Sequence, residues 1–202
     1  MPVYNSNLWK YLKLSYDTNI KITMASRYEF FDKISNGITY IQSRGFKHLD
    51  IKLSNIMIST DSTGKWDQHN CVITDFGIGG KKEKEVGNKG TPGFASPEQM
   101  IGSATEKSDN FSLGRVMIFL FATWQSAWNL SFQPVSDTDL TNFTIGRIHR
   151  QIVEIIQKLL QVGSISLFAS ERCVKRKRHF SHFAMTTYGI SYFRLPHQHE
   201  RN

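Results

Sequence analysis

The chain has 202 residues, enough to bury one sizeable core, and its 40% hydrophobic and 12% aromatic content are globular values. A formal net charge of +8 suits a phosphate-rich ligand. Two cysteines, Cys71 and Cys173, exclude a disulfide framework and offer no metal spacing, which points to a reducing compartment, the cytoplasm first and the nucleus second. The N-terminal Met1-Pro2-Val3-Tyr4-Asn5 lacks the basic and apolar blocks of a signal peptide.

In chain order, the first strong periodic signal is Met24, Tyr28, Phe31, Ile34, Ile38 and Ile41, whose steps of three and four predict an amphipathic helix stopping at Gly45. His48-Leu49-Asp50-Ile51-Lys52-Leu53-Ser54-Asn55 follows as a polar loop. Asp50 and Lys52, two residues apart, would point to one side of an extended segment. Ile56-Met57-Ile58 reads as a strand, Cys71-Val72-Ile73-Thr74 as a second, and Ser59 to Asn70 as a turn-rich connection. Antiparallel pairing would bring Asn55, before the first strand, beside Asp75, after the second. An amide oxygen and a carboxylate at one end of a ladder suit a hard cation that prefers oxygen ligands. Asp75 opens Asp75-Phe76-Gly77. The glycines that follow, Gly79 and Gly80, do not make a phosphate-binding loop, because the spacing requires glycine where Asp75 stands.

Farther on, Val116 to Ala122 is the longest apolar block. It is far shorter than the ~20 residues of a membrane span, so a membrane is not expected as a partner, and it predicts a helix buried on every side. Ile145, Ile148, Ile152, Ile155 and Leu159 predict a last amphipathic helix. Trp124 and Trp128, one helical turn apart, read as packing residues. Lys175-Arg176-Lys177-Arg178-His179, followed by Phe180, Phe183, Tyr188, Tyr192 and Phe193, has two readings. One is a nuclear-localisation or nucleic-acid patch; the other, which we favour, is a solvated basic face or frayed tail, so nucleic acid is not expected as a partner. His197 and His199 at the end are not expected to bind metal.

These motifs resemble the eukaryotic protein kinases. That family's catalytic loop, H-R-D-x-K-x-x-N, stands here as His48 to Asn55, and its D-F-G as Asp75-Phe76-Gly77. Gly90-Thr91-Pro92-Gly93-Phe94-Ala95-Ser96-Pro97-Glu98 is similar to the end of the activation segment, with Ser96-Pro97-Glu98 for A-P-E. Asp109-Asn110-Phe111-Ser112-Leu113-Gly114 resembles the start of the central large-lobe helix. A lone D-F-G is weak evidence, whereas four motifs in family order are strong.

The resemblance implies a mainly α fold with a short β-hairpin (α+β), the protein-kinase-like C-terminal lobe. It divides the chain into 1–22, a hinge remnant with the first large-lobe helix, in which Asn7 to Leu12 looks like the helix after the inter-lobe hinge; 23–160, the large lobe, with catalytic loop 48–55, metal motif 75–77 and activation segment 75–98; and 161–202, a divergent basic-aromatic segment. It implies a serine/threonine kinase using ATP and Mg²⁺ on a protein substrate, present as a truncated large lobe. The alternative is a catalytically inactive interaction module. By resemblance, Asp50 would orient the substrate hydroxyl and take its proton, and Lys52 would neutralise the transferred phosphoryl group. Asn55 and Asp75 would hold Mg²⁺, and Met57 would pack beneath adenine. Thr91 would tie Asp50 and Lys52 to the peptide-binding segment. His48, Phe76, Gly77, Glu98 and Asp109 would be structural supports, with Arg172 one candidate partner for Glu98.

Three departures stand out. No G-x-G-x-x-G, V-A-I-K lysine or partner-glutamate helix precedes His48. Leu49 replaces the arginine that many kinases pair with a phosphate on the activation segment. Ile78 to Gly90 contains no serine, threonine or tyrosine. Either the loop does not use phosphorylation as its switch, in which case a protein partner could supply regulation, or the chain is a divergent copy that has lost regulation. Ser54 gives no hint of substrate preference.

Overall fold

The structure is a computed structural model in which residues 4–63, 66–81, 89–131 and 150–161 are described. In chain order these form β1 (Ser6–Asn7), α1 (Leu8–Asp17), α2 (Met24–Ser43), β2 (Phe46–Lys47), a 3₁₀ turn (Leu53–Asn55), β3 (Ile56–Thr60), β4 (Trp66–Ile73), β5 (Gly80–Lys81), α3 (Pro97–Met100), α4 (Glu106–Phe121), α5 (Trp124–Leu130) and α6 (Arg150–Leu160). The fold is helix-rich with short antiparallel strands, as the motifs imply.

α2 begins where Thr23 caps it, its hydroxyl accepting from Ser26 N at 3.1 Å. It ends before Gly45, whose φ of 74° lies in the left-handed region that glycine enters without penalty. The predicted stripe lies on the buried face: Phe31, Ile34 and Ile38 are at most 1% exposed, and Phe30, outside the stripe, joins them at 0%. Phe31→Ala should therefore cost about 3–5 kcal/mol of folding stability through lost transfer energy and a cavity. Urea unfolding followed by far-UV circular dichroism measures it; a loss below about 1 kcal/mol would mean that this face is not the core.

α4 is buried all round, from Ser108 to Phe121, as its sequence predicted. Such a helix must have its polar groups satisfied. Ser112 Oγ donates to Phe94 O at 2.9 Å, and Arg115 Nη1 donates to Leu130 O at 2.8 Å. Asn110 Oδ1 accepts from Gln42 Nε2 of α2 at 2.9 Å. α6 packs against α4 through Ile152, Ile155 and Leu159, all buried; Ile145 and Ile148 lie outside the described residues. Trp9 of α1 meets Trp124 and Trp128 of α5 edge-on at 4.7 and 5.7 Å between centroids, so the tryptophan pair is packing, with Trp128 partly exposed.

The larger sheet has the order β1-β3-β4, antiparallel throughout. Two expectations need correction. β4 begins at Trp66 rather than Cys71, so the connection is much shorter than Ser59 to Asn70. Trp66 is drawn into the core, its ring stacked on Phe30 at 3.7 Å, which extends the strand. The turn forms at Asp61, whose Oδ1 accepts from Thr63 N at 2.9 Å and Thr63 Oγ1 at 2.6 Å. The register pairs Ile56 with Ile73, so Asn55 faces Thr74, not Asp75; Thr74 N donates to Asn55 O at 2.9 Å. Asp75 lies two residues past Ile73, the end of β4.

No helix among the described residues is long and apolar enough to cross a membrane.

Candidate active site

The loop from His48 to Asn55 is held from below by one buried carboxylate. Asp109, near the start of α4, is 0% exposed and accepts the backbone N–H of His48 at 2.8 Å and of Leu49 at 2.7 Å. Burial pushes its carboxyl up to about 6, although the two backbone donors and nearby Lys47 pull the other way. His48 is fully buried too. Asp50 N donates to its Nδ1 at 3.2 Å, which leaves the ring proton on Nε2 to donate to Thr74 O at 3.0 Å. Burial, the largest influence on this ring, favours the neutral form. The ring of Phe76 lies 4.5 Å from that of His48 between centroids. His48 and Asp109 thus couple the catalytic loop to the D-F-G segment and to the central helix.

Leu49 has φ 65° and Asp75 has φ 69°, a region costing a non-glycine residue on the order of 1–2 kcal/mol. Both persist because their neighbours are tied: Leu49 by Asp109, and the Asp75 turn by Gly77 N donating to Asp75 Oδ1 at 3.3 Å. Gly79 permits the close approach that follows. A Cβ there would sit 2.7 Å from Lys47 O and 2.9 Å from His48 O, where β5 pairs with β2.

Above this base the charged groups converge. Lys52 Nζ lies 2.8 Å from Asp50 Oδ2 and 3.0 Å from Thr91 Oγ1, while Thr91 Oγ1 donates to Asp50 Oδ1 at 2.6 Å. Asn55 Nδ2 donates to Asp50 Oδ2 and to Asp50 O, both at 3.0 Å. Burial by itself would raise the Asp50 carboxyl, but the bonds from Lys52, Thr91 and Asn55 together outweigh it and hold the group below its ordinary range. Asp50 is therefore an ionised acceptor at neutral pH. Asn55 is 7% exposed with its amide nitrogen committed to Asp50. Asp75 is exposed. Met57 of β3 sits half-buried on the face opposite Ile56 and Ile58.

The family model described as protein kinase domain matches residues 2–175. The chain belongs to the protein kinase family. It is 28% identical over 174 residues to the serine/threonine-protein kinase PLK4 of Danio rerio, covering 78% of this chain and 16% of that protein. It is 33% identical over 124 residues to the serine/threonine-protein kinase PLK4 of Xenopus laevis, 59% of this chain and 11% of that protein. It is also 30% identical over 159 residues to the maternal embryonic leucine zipper kinase of Xenopus tropicalis, 75% of this chain and 22% of that protein. The kinase chain thus spans less than a quarter of each of these relatives.

Of the residues singled out in the sequence, the structure brings Asp50, Lys52, Asn55 and Thr91 into one hydrogen-bonded group. His48, Phe76 and Asp109 form its support, and Gly77 closes the Asp75 turn. Glu98 stands apart: its Oε1 accepts from Ser108 Oγ at 3.4 Å, and its buried Oε2 has no partner among the described residues. Arg172, Cys173, the basic run from Lys175 to His179 with its following aromatics, and His197 and His199 lie outside the described residues. Two site residues escaped the sequence reading. Thr74, the acceptor for His48, carried no signal because any residue offers a carbonyl. Gln99, a long polar side chain on a short helix, was not singled out in the sequence and is 1% exposed.

Proposed function

We infer that this chain carries the phosphoryl-transfer centre of a serine/threonine protein kinase, moving the γ-phosphoryl of ATP to a protein hydroxyl. The observation that carries the reading is the single network joining the Asp50 carboxylate to Lys52, Thr91 and Asn55. Asp50, ionised and fixed, accepts a bond from the incoming hydroxyl and takes its proton as the oxygen attacks. Lys52, fixed beside it, lies where negative charge develops on the transferred group. Thr91 keeps the activation segment in register with both.

Asn55 and Asp75 offer hard oxygen donors and would hold Mg²⁺, which neutralises phosphate charge when bound. Mg²⁺ uses only one or two protein ligands beside phosphate oxygens. The open face of β3 at Met57 suits a flat base. A reducing compartment such as the cytoplasm fits Cys71, a free thiol that burial pushes up to about 12.

A second reading is a kinase-like interaction module without turnover. Phe76 favours it, being 50% exposed. Titration calorimetry with Mg·ATP, comparing the wild-type chain with Asp75→Ala, separates the two. Binding that the substitution abolishes supports the transfer centre. A folded wild-type chain with no detectable heat supports the module.

A further inference from the structure

The peptide unit between Leu49 and Asp50 orients the Asp50 carboxylate, and it is bonded at both ends. Its N–H donates to His48 Nδ1 at 3.2 Å, and its carbonyl accepts from Gln99 Nε2 at 2.6 Å. The same Gln99 nitrogen donates to Lys89 O at 2.8 Å, in the activation segment. Both N–H bonds of one amide are thus divided between the catalytic loop and the activation segment. The amide cannot turn elsewhere. Gln99 is 1% exposed, and its backbone N–H is capped by Ser96 Oγ at 3.3 Å. Gly90, with φ 143°, lies against it so closely that a Cβ would fall 2.5 Å from Nε2. The Gln99 oxygen has no hydrogen-bond partner among the described residues. Its side-chain hydrogen bonds among the described residues are therefore made by its donors alone.

We propose that Gln99 is a positioning residue: a neutral clasp that fixes the activation segment to the Leu49–Asp50 peptide with no phosphate required. Two features of the chain agree with a built-in clasp. Leu49 brings no charge to meet a phosphate, and its side chain is 1% exposed. Ile78 to Gly90 has no hydroxyl to carry one. The clasp joins two backbone carbonyls through an uncharged group, so neither salt nor a phosphatase would release it.

The effect on turnover rests on the proposed transfer function, but the clasp itself does not, and the experiment keeps them apart. Gln99→Met conserves length and volume, removes both donors and deletes an oxygen that has no partner, so a role in packing alone predicts a silent change. Amide hydrogen exchange is followed in the full chain, with a thermal melt to confirm the fold. The expected result is roughly tenfold or greater loss of protection at Asp50 N–H and at Phe94 and Ala95 N–H, with α2 and α4 unchanged. Gly90→Ala, which crowds the same amide from the other side, should deprotect the same positions and serves if the first variant does not fold. Unchanged protection at Asp50 in a folded variant, or uniform loss through α2 and α4, would overturn the clasp. Where the wild-type chain transfers phosphate, Gln99→Met should lower kcat several-fold and leave KM for Mg·ATP near its wild-type value, since Asn55 and Asp75 are untouched. A matching rise in KM with kcat unchanged would also overturn it. Absence of turnover in the wild type would sink the transfer function and leave the exchange result to stand for the clasp.

Discussion

Asp50→Asn should slow phosphoryl transfer by about 10²–10⁴-fold, the usual contribution of a positioned proton acceptor. The substitution keeps the side chain's shape but replaces one acceptor oxygen with a donor. Lys52, Thr91 and Asn55 all donate to this carboxylate, so an NH₂ group must face at least one donor. Nucleotide affinity should stay within about threefold, because the metal-facing oxygens belong to other residues. Radiolabel transfer to a serine-rich protein acceptor, beside a nucleotide titration, reads both quantities. A variant that transfers at the wild-type rate would remove Asp50 from the chemistry. The pH dependence follows from the lowered carboxyl. A depressed folded-state value means that stability from this group is present above the unfolded value, near 4, and is lost as pH falls through the folded value. The Asp50 network should therefore remain intact through pH 5–8, and any acid limb of the rate in that window must come from another group.

Asp109→Asn should change the response of folding stability to pH by about 2 kcal/mol between pH 4 and 7. The folded carboxyl, pushed up from 3.8 to about 6, binds more protons in this window than the unfolded one. Wild-type stability from this group is accordingly full below the unfolded value and falls as pH rises through about 6. Asparagine does not titrate, so the variant gains on the wild type across the window. It also carries a constant loss of about 1–3 kcal/mol, because one oxygen cannot serve the N–H groups of both His48 and Leu49. The lowered His48 acts in the opposite sense, adding stability as pH rises toward 6.5, and is present in both proteins. Urea unfolding at half-unit steps from pH 4.5 to 7.5 gives the difference curve. A curve flat within about 0.5 kcal/mol would show that Asp109 ionises as an ordinary aspartate.

Much of this site is local chemistry written in short segments, and those segments were legible. The stripe from Tyr28 to Ile41 became the buried face of α2, because helical period alone decides which side chains share a face. The all-apolar block at Val116 to Ala122 became the interior of α4 for a similar reason. The match of His48 to Asn55 to the kinase catalytic-loop motif named Asp50, Lys52 and Asn55, and a short loop keeps those residues within reach of one another.

What the sequence could not supply were the contacts between segments far apart in the chain. The true register, Asn55 opposite Thr74, follows from the pairing of Ile56 with Ile73, while beyond an irregularity between Ile58 and Thr60 the strand is lengthened by Trp66 stacking on Phe30, a tertiary contact that overrode the polar run before Cys71. The burial of Gln99 and its double donation to Leu49 and Lys89 depend on where α3 docks, which no local pattern encodes. Asp109 was named by resemblance, yet its titration is set by complete desolvation against the His48 and Leu49 amides. By itself, then, the sequence determined which helix faces are apolar, because that follows from residue type and spacing, and through its resemblance to the protein kinases it named the groups proposed for phosphoryl transfer. Tertiary structure alone decided their protonation, their register and the neutral clasp on the catalytic loop, because hydrogen bonding and desolvation arise only when distant segments close around the same atoms.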